Sequence, residues 1–303
     1  SWLRLVRFPA VFTALTNVIA GHVLAGGRGE DPRTLGFALL GSACLYLSGM
    51  AFNDVADRNR DATERPDRPL PSGRVPVVGA VLLAASLWFA GITAAYLAAS
   101  VVGAVAVPLA SVILLYDFGL KRTPFGPIAM GLCRTLNVFL GAVTYTDAWV
   151  GDGGAVWGYA VVLGLYVAAV TAAARFETTR VPRLWAWAMV AATVAMLVCL
   201  AVLAGTRPFA GYGSAGVVPG AAAMTLSFAA VAFGARTFLH PAKRLLSPVG
   251  DDATPRTIGR LVRSIAWFDA IAVVAWATVV WPLCAVAGCL CGASYVGRKI
   301  PIS

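Results

Sequence analysis

The chain has 303 residues, 59% of them hydrophobic and only 13% charged, with a mean hydropathy of +0.78 and a formal net charge of +10. A soluble domain carries about 25% charged residues, so this composition points to lipid as the solvent and excludes an ordinary water-soluble globule. No basic helix or aromatic-basic sheet pattern accompanies the positive balance, which argues against a nucleic-acid partner and assigns the charge to the loop arginines of a membrane protein.

About 20 helical residues cross a hydrocarbon core of ~30 Å. Apolar runs of that size predict nine spans, at roughly 8–26, 34–53, 75–98, 101–117, 125–146, 155–174, 184–204, 215–235 and 265–290. Arg4 and Arg7 lead straight into the first run, so no cleaved leader is expected. The second run ends abruptly in charge. The stretch 75–117 is almost unbroken, and it is divided because its length is twice one crossing. Pro108 and Pro282 fall inside spans, where membrane helices tolerate them. The six cysteines lie in or beside apolar runs without a C-x-x-C pair, so neither a disulfide frame nor a zinc site is expected. The fold class that follows is all-α: one polytopic transmembrane domain over residues 1–303.

Lysine and arginine set the orientation of such a protein. With the N-terminus inside, the inner segments hold 18 of the 24 basic residues and the outer segments 5, while Arg134 lies within a span. A multi-pass protein of the plasma membrane is expected, with N-terminus and inner loops cytoplasmic. An odd number of spans puts the C-terminus outside.

Residues 52–74 then stand out, because they gather five acids and five arginines between two apolar runs. Asn53, Asp57 and Asp61 are four apart and advance only about 40° per step on a helix. Asp54 lies three before Asp57 and falls on the same side. Like charges at this spacing repel unless something positive sits among them. Magnesium prefers carboxylate oxygens and commonly bridges one or two of them to substrate phosphates. Solvated Asp-Arg pairs are the structural alternative.

Asn53-Asp54-x-x-Asp57-x-x-x-Asp61, followed by Arg68-Pro69-Leu70 and Gly73, resembles the first aspartate-rich motif of the UbiA superfamily of intramembrane prenyltransferases. The resemblance implies a nine-helix UbiA-type bundle with cytoplasmic cap loops. It also implies that these acids bind magnesium on a polyprenyl diphosphate, whose allylic cation alkylates a small acceptor. Asn53, Asp54, Asp57 and Asp61 become the expected catalytic group. "YDFGLKRTPFG", residues 116–126, resembles the family's tyrosine-to-lysine segment, which implies diphosphate contacts from Tyr116, Lys121 and Arg122. Asp117 fits no role there.

Arg134 and Asn137, three apart in "GLCRTLNVFLGA", share a helix face. A charged residue at membrane depth faces a cavity or a partner. They are expected to contact diphosphate or acceptor, or else to pair with a neighbouring helix. Asp269 is a candidate partner, or a neutraliser of Arg263. The family's second aspartate-rich motif would fall in "AAARFETTRVPR", residues 172–183, but only Glu177 is acidic there, among Arg175, Arg180 and Arg183. The expected ligands of magnesium are thus Asn53, Asp57, Asp61 and, weakly, Glu177. Arg68, Arg175 and Arg180 are expected to neutralise the diphosphate with the guanidinium geometry that suits phosphate. The inner segment 236–264 alternates basic and apolar residues, and is expected to hold a short interfacial helix or a cap. The expected partners are a prenyl diphosphate, an unidentified small acceptor and the bilayer. Two alternatives go with the same resemblance: a transporter or lipid-handling protein that retains the fold without the chemistry, and phosphoribosyl transfer to a polyprenyl phosphate at the same metal site.

Overall fold

In a computed structural model, the described residues are 1–145, 153–176, 181–205, 229, 231–232, 235–244, 253–276 and 281–299. Among them the secondary structure is helical throughout. The long helices are α1 (Phe12–Leu24), α2 (Pro32–Glu64), α3 (Val77–Ala98), α4 (Ser100–Phe118), α5 (Gly126–Ala142), α6 (Gly153–Ala174), α7 (Arg183–Gly205), α8 (Ala253–Trp276) and α9 (Trp281–Lys299). Of the described helices, α2, α3, α4, α6 and α7 are long and apolar enough to cross a membrane. The outer faces of α3 and α7 expose Val78, Leu82 and Phe89, and Leu184, Trp187 and Val198. Such continuous apolar surface suits lipid and not water.

Each helix boundary has a local cause. Asp31 caps α2: its carboxylate accepts from the Arg33 and Thr34 amides and from the Thr34 hydroxyl at 2.5 Å. Those bonds hold the Asp31 carboxyl below its usual range. α2 does not stop where its apolar run does. It carries the acidic stretch as three further turns, supported by the Arg60–Glu64 pair at 2.8 Å. It ends at Arg65, whose successor Pro66 disfavours the helical conformation there. The expected division within 75–117 falls at Ala99, extended at φ −165° and ψ 157° between α3 and α4.

One expectation needs correction at the far end of the chain. Segment 236–264 does hold a short helical stretch, Ala235–Leu239 and His240–Arg244, and from Ala253 it belongs to α8, where Ile258, Leu261 and Ser264 are buried in the bundle. The predicted span 265–290 overlaps both α8 and α9, whose described ends are Trp276 and Trp281. Hydropathy had marked only the apolar halves of these helices, since basic residues begin one and end the other. The predicted span 215–235 lies almost wholly outside the described residues.

α1 and α5 cross backbone against backbone. A Cβ on Gly141 would lie 2.0 Å from the Val18 carbonyl oxygen, and one on Gly21 the same distance from that of Val138. α5 meets α6 the same way, with Gly131 against the Gly164 carbonyl. Small residues that let backbones touch are the usual means of joining helices in lipid, where apolar burial gives little drive. This close crossing leaves a cavity of about 360 Å³ beside it, walled by α1, α2, α4, α5, α6 and α8.

Candidate active site

The cavity is largely aliphatic, with Ala14, Leu45, Leu109, Ile113, Val167, Val170 and Ile265 in its wall. Its polar lining falls at two levels. Arg7, Asn53, Tyr116 and Asp117 stand at the charged end, and Ser42, Tyr46, Arg134 and Asn137 lie deeper. Tyr46 and Asn53 are seven residues apart on α2, so the two levels are separated by about 10 Å at 1.5 Å per residue.

At the charged end, the acidic face of α2 divides between two sets of partners. On one side, the Asn53 amide donates to Asp117 Oδ1 at 3.2 Å, and Asp57 is paired with Lys121 Nζ and lies 3.8 Å from Arg122. On the other, Arg68 bridges Asp61 at 2.6 Å and Asp54 at 3.5 Å, and Arg7 reaches Asp54 at 3.4 Å. Arg68, Asp54 and Asp61 are all buried. The expected catalytic residues therefore share one end of α2 but are split between two sets of partners. Arg68, expected to meet diphosphate, holds two of them in position.

The second partner set is built by short turns. Lys121 and Arg122 lie on a 3-10 turn, Leu120–Arg122, directly after α4. Arg175, at the end of α6, donates to the carbonyls of Lys121 (2.9 Å) and Thr123, so it clasps that turn. Gly126 leaves room for the clasp, since a Cβ there would meet Arg175 Nη2 at 2.6 Å. Tyr116 lines the cavity, and its hydroxyl makes no hydrogen bond among the described residues. Glu177 and Arg180 lie outside the described residues.

Deeper in the cavity, Arg134 donates to Asn17 Oδ1 at 3.1 Å and Thr13 Oγ1 at 3.2 Å, and sits 5.4 Å over the Tyr46 ring. Asn17 in turn donates to Asp269, which also accepts from Thr16 and from Tyr159, both at 2.6 Å. Asp269 is thus the partner of Arg134 through Asn17, and α1, α5, α6 and α8 are tied at one point. Asn137 donates to the Ala14 carbonyl and accepts from Ser42 at 2.7 Å. It cross-links helices at the cavity wall.

Sequence reasoning missed Arg7 and Asp117. Arg7 reads in sequence only as one of the inner charges leading into the first run; it occupies the left-handed region at φ 46° and ψ 48°, and its side chain reaches Asp54. That conformation is costly for a residue with a Cβ and persists where the surroundings impose it. Asp117 read as an unassigned helix-end acid. It is buried and bonded to the motif's own asparagine. Its only signal in sequence is a carboxylate at the end of an apolar span.

Asn53, Asp57, Asp61 and Asp117 supply hard oxygens, the type magnesium takes, and Asp117 Oδ2 is buried without a hydrogen-bond partner. No three acidic, histidine or cysteine side chains converge among the described residues, because cations hold Asp57 and Asp61. The chemistry fits magnesium, and the side nearest Asn53 and Asp57 offers the unspent oxygen.

A model of the UbiA prenyltransferase family matches residues 14–247. The chain belongs to this family. Digeranylgeranylglyceryl phosphate synthase of Methanoculleus marisnigri is 34% identical over 145 residues, 47% of this chain and 51% of that protein. Its namesake from Metallosphaera sedula is 32% identical over 147 residues, 48% of this chain and 52% of the other. The chain spans about half the length of the curated relatives it matches. A UbiA homologue from Archaeoglobus fulgidus, solved with DMAPP and Mg2+, has a TM-score of 0.61 at 15% identity and covers 89% of this chain and 98% of its own. The apo UbiA homologue from Aeropyrum pernix K1 reaches 0.59 at 18% identity, over 84% of this chain and 96% of that one. The fold is therefore UbiA-like.

Proposed function

We propose that the protein is a magnesium-dependent prenyltransferase of the plasma membrane, moving a prenyl group from a polyprenyl diphosphate to a small acceptor. The observation that carries this reading is the aliphatic cavity that ends against Asn53, Tyr116 and Asp117, one helical turn from the Asp57–Lys121 pair. A prenyl chain fits the aliphatic part, and its diphosphate then meets the charged end. The Archaeoglobus homologue was solved with a prenyl diphosphate and Mg2+, and the matched synthases are named for a prenylated glyceryl phosphate. Both support the donor class. They leave the acceptor of this chain open.

Asn53, Asp57 and Asp61, with Glu177, would hold magnesium, which when bound offsets charge on the leaving diphosphate. Lys121 and Arg122 meet the same oxygens from the turn after α4, and Arg175 keeps that turn in place. Arg180 lies close in sequence and adds positive charge. Tyr116 offers a hydroxyl donor at the cavity mouth. The C–O bond to diphosphate breaks with its electron pair leaving on oxygen. The allylic cation then forms a bond to the acceptor's nucleophilic atom, and the acceptor loses a proton. The aliphatic wall keeps water from the cation. Arg134 and Asn137, about 10 Å deeper and bonded across helices, shape the wall along which the prenyl chain lies. In this reading the charged end and the N-terminus face the cytoplasm, and the C-terminus is outside.

The test is release of diphosphate from radiolabelled prenyl diphosphates of several chain lengths, with purified protein in liposomes. Release that requires magnesium and is lost in Asp57→Asn is expected. Absence of release across all chain lengths, with or without cell extract as a source of acceptor, would sink the proposal.

A further inference from the structure

We infer that Asp117 is a further ligand of the divalent cation, acting beside Asn53 and Asp57 on the cavity side of the acidic helix. The inference rests on the magnesium-dependent reading above and adds a residue to it. Three observations meet at this carboxylate. Asp117 is 7% exposed and lines the cavity. Its Oδ1 accepts from the Asn53 amide at 3.2 Å, while its buried Oδ2 has no hydrogen-bond partner. Asp54, Asp57 and Asp61 each have a lysine or arginine nitrogen within 4 Å, and Asp117 has none among the described residues.

An acid buried without a cation is costly, and its neighbours show how this end of the bundle meets that cost. They are neutralised by the protein itself. Asp117 is left to a proton or to a charge from elsewhere. The hydrogen bond from Asn53 uses that residue's nitrogen and leaves its oxygen, so Asn53 Oδ1 and Asp117 Oδ2 are both unspent acceptors at the cavity rim. Magnesium needs only one or two carboxylates when water and phosphate fill the other positions. Asp57 with Asp117 supplies two, and they come from different helices, α2 and α4. The cation would thereby join the acidic helix to the segment that carries Tyr116 and Lys121.

A competing role is purely positional, with Asp117 only orienting the Asn53 amide. Asp117→Asn separates the two, because an asparagine oxygen still accepts from Asn53 while an amide nitrogen replaces Oδ2. Binding of Mn2+ to the full chain in nanodiscs would be followed by electron paramagnetic resonance, alone and with non-reacting geranyl thiolodiphosphate. Asp117→Asn and Asp117→Ala are both expected to weaken Mn2+ binding at least tenfold, with Asp67→Asn unchanged. Asp117→Glu keeps a carboxylate and is expected to bind with an altered Mn2+ spectrum. Asp117→Asn within twofold of the parent would overturn the inference, whatever Asp117→Ala does, and so would an unaltered spectrum in Asp117→Glu. In either case strong Mn2+ binding by the parent, lost in Asp57→Asn, leaves the prenyltransferase reading standing. No Mn2+ binding by the parent would defeat both.

Discussion

Asp57 and Asp61 are one helical turn apart, yet the fold spends them differently. Asp57 and its partner Lys121 are partly open, with side chains 13% and 21% exposed, whereas Asp61 and Arg68 are 5% and 7% exposed. Breaking a buried pair strands a charge and costs about 3–5 kcal/mol, while an accessible pair contributes little. Asp57→Asn should therefore leave the thermal midpoint in detergent near that of the parent and cut magnesium-dependent diphosphate release by about 100-fold or more, the scale of losing preorganised charge. Asp61→Asn should lower the midpoint clearly as well as the activity, because Arg68 would retain only Asp54 at 3.5 Å. An Asp61→Asn protein as stable as the parent would show that this bridge does not hold the turn. The acidic motif was legible because charge beside an apolar run is conspicuous. Its division into two partner sets was not. Arg7, Arg68 and Asp117 reach the motif from other segments, and only the packed bundle shows which acid each one meets.

At the scale of helices, apolar length located most of the described long helices, five of which are long and apolar enough to cross a membrane, and the break at Ala99 fell where crossing length required one. What hydropathy could not see was where a helix continues past the lipid. α2 runs on through the acids to Glu64, and α8 begins at Ala253 among basic residues. The helix ends follow from Pro66 and backbone pairing, and apolar content reports neither. Glycine spacing also went unread, because a glycine at a crossing and a glycine facing open space look alike in sequence. They should respond oppositely to alanine. Gly141→Ala places a Cβ against the Val18 carbonyl and should destabilise by about 1–3 kcal/mol, as overpacking does. It should also reduce turnover, since α5 carries Arg134 and Asn137. Gly158→Ala, on α6 with nothing within 4 Å of the new Cβ, should raise stability by up to about 1 kcal/mol. Chemical denaturation in detergent micelles would measure both, and equal effects of the two substitutions would refute the backbone crossing.

For the whole molecule, the charged cluster at the end of the cavity and the arginine count make a single argument about direction. The acids of α2, the turn at Leu120–Arg122 and Arg175 meet at one end of the cavity, so in the proposed reaction whichever side of the membrane that end faces is the side from which diphosphate enters and leaves. Eighteen of the 24 lysines and arginines fall on segments assigned to that side. Moving so many charges across during insertion is opposed, which is the basis of the positive-inside bias. Asp67 is exposed, lies between α2 and α3 and forms no part of either acid cluster. A cysteine placed there, with the six native cysteines changed to serine, reports the side by labelling alone, independently of activity at the cavity that Cys133 lines. In intact cells Asp67→Cys should resist a membrane-impermeant maleimide and react fully once the membrane is opened. Arg28→Cys, exposed between α1 and α2, should react in intact cells. If the two labelling patterns came out reversed, the charged end would open to the exterior, and a donor made in the cytoplasm could not reach Lys121 and Asp57 without first crossing the bilayer.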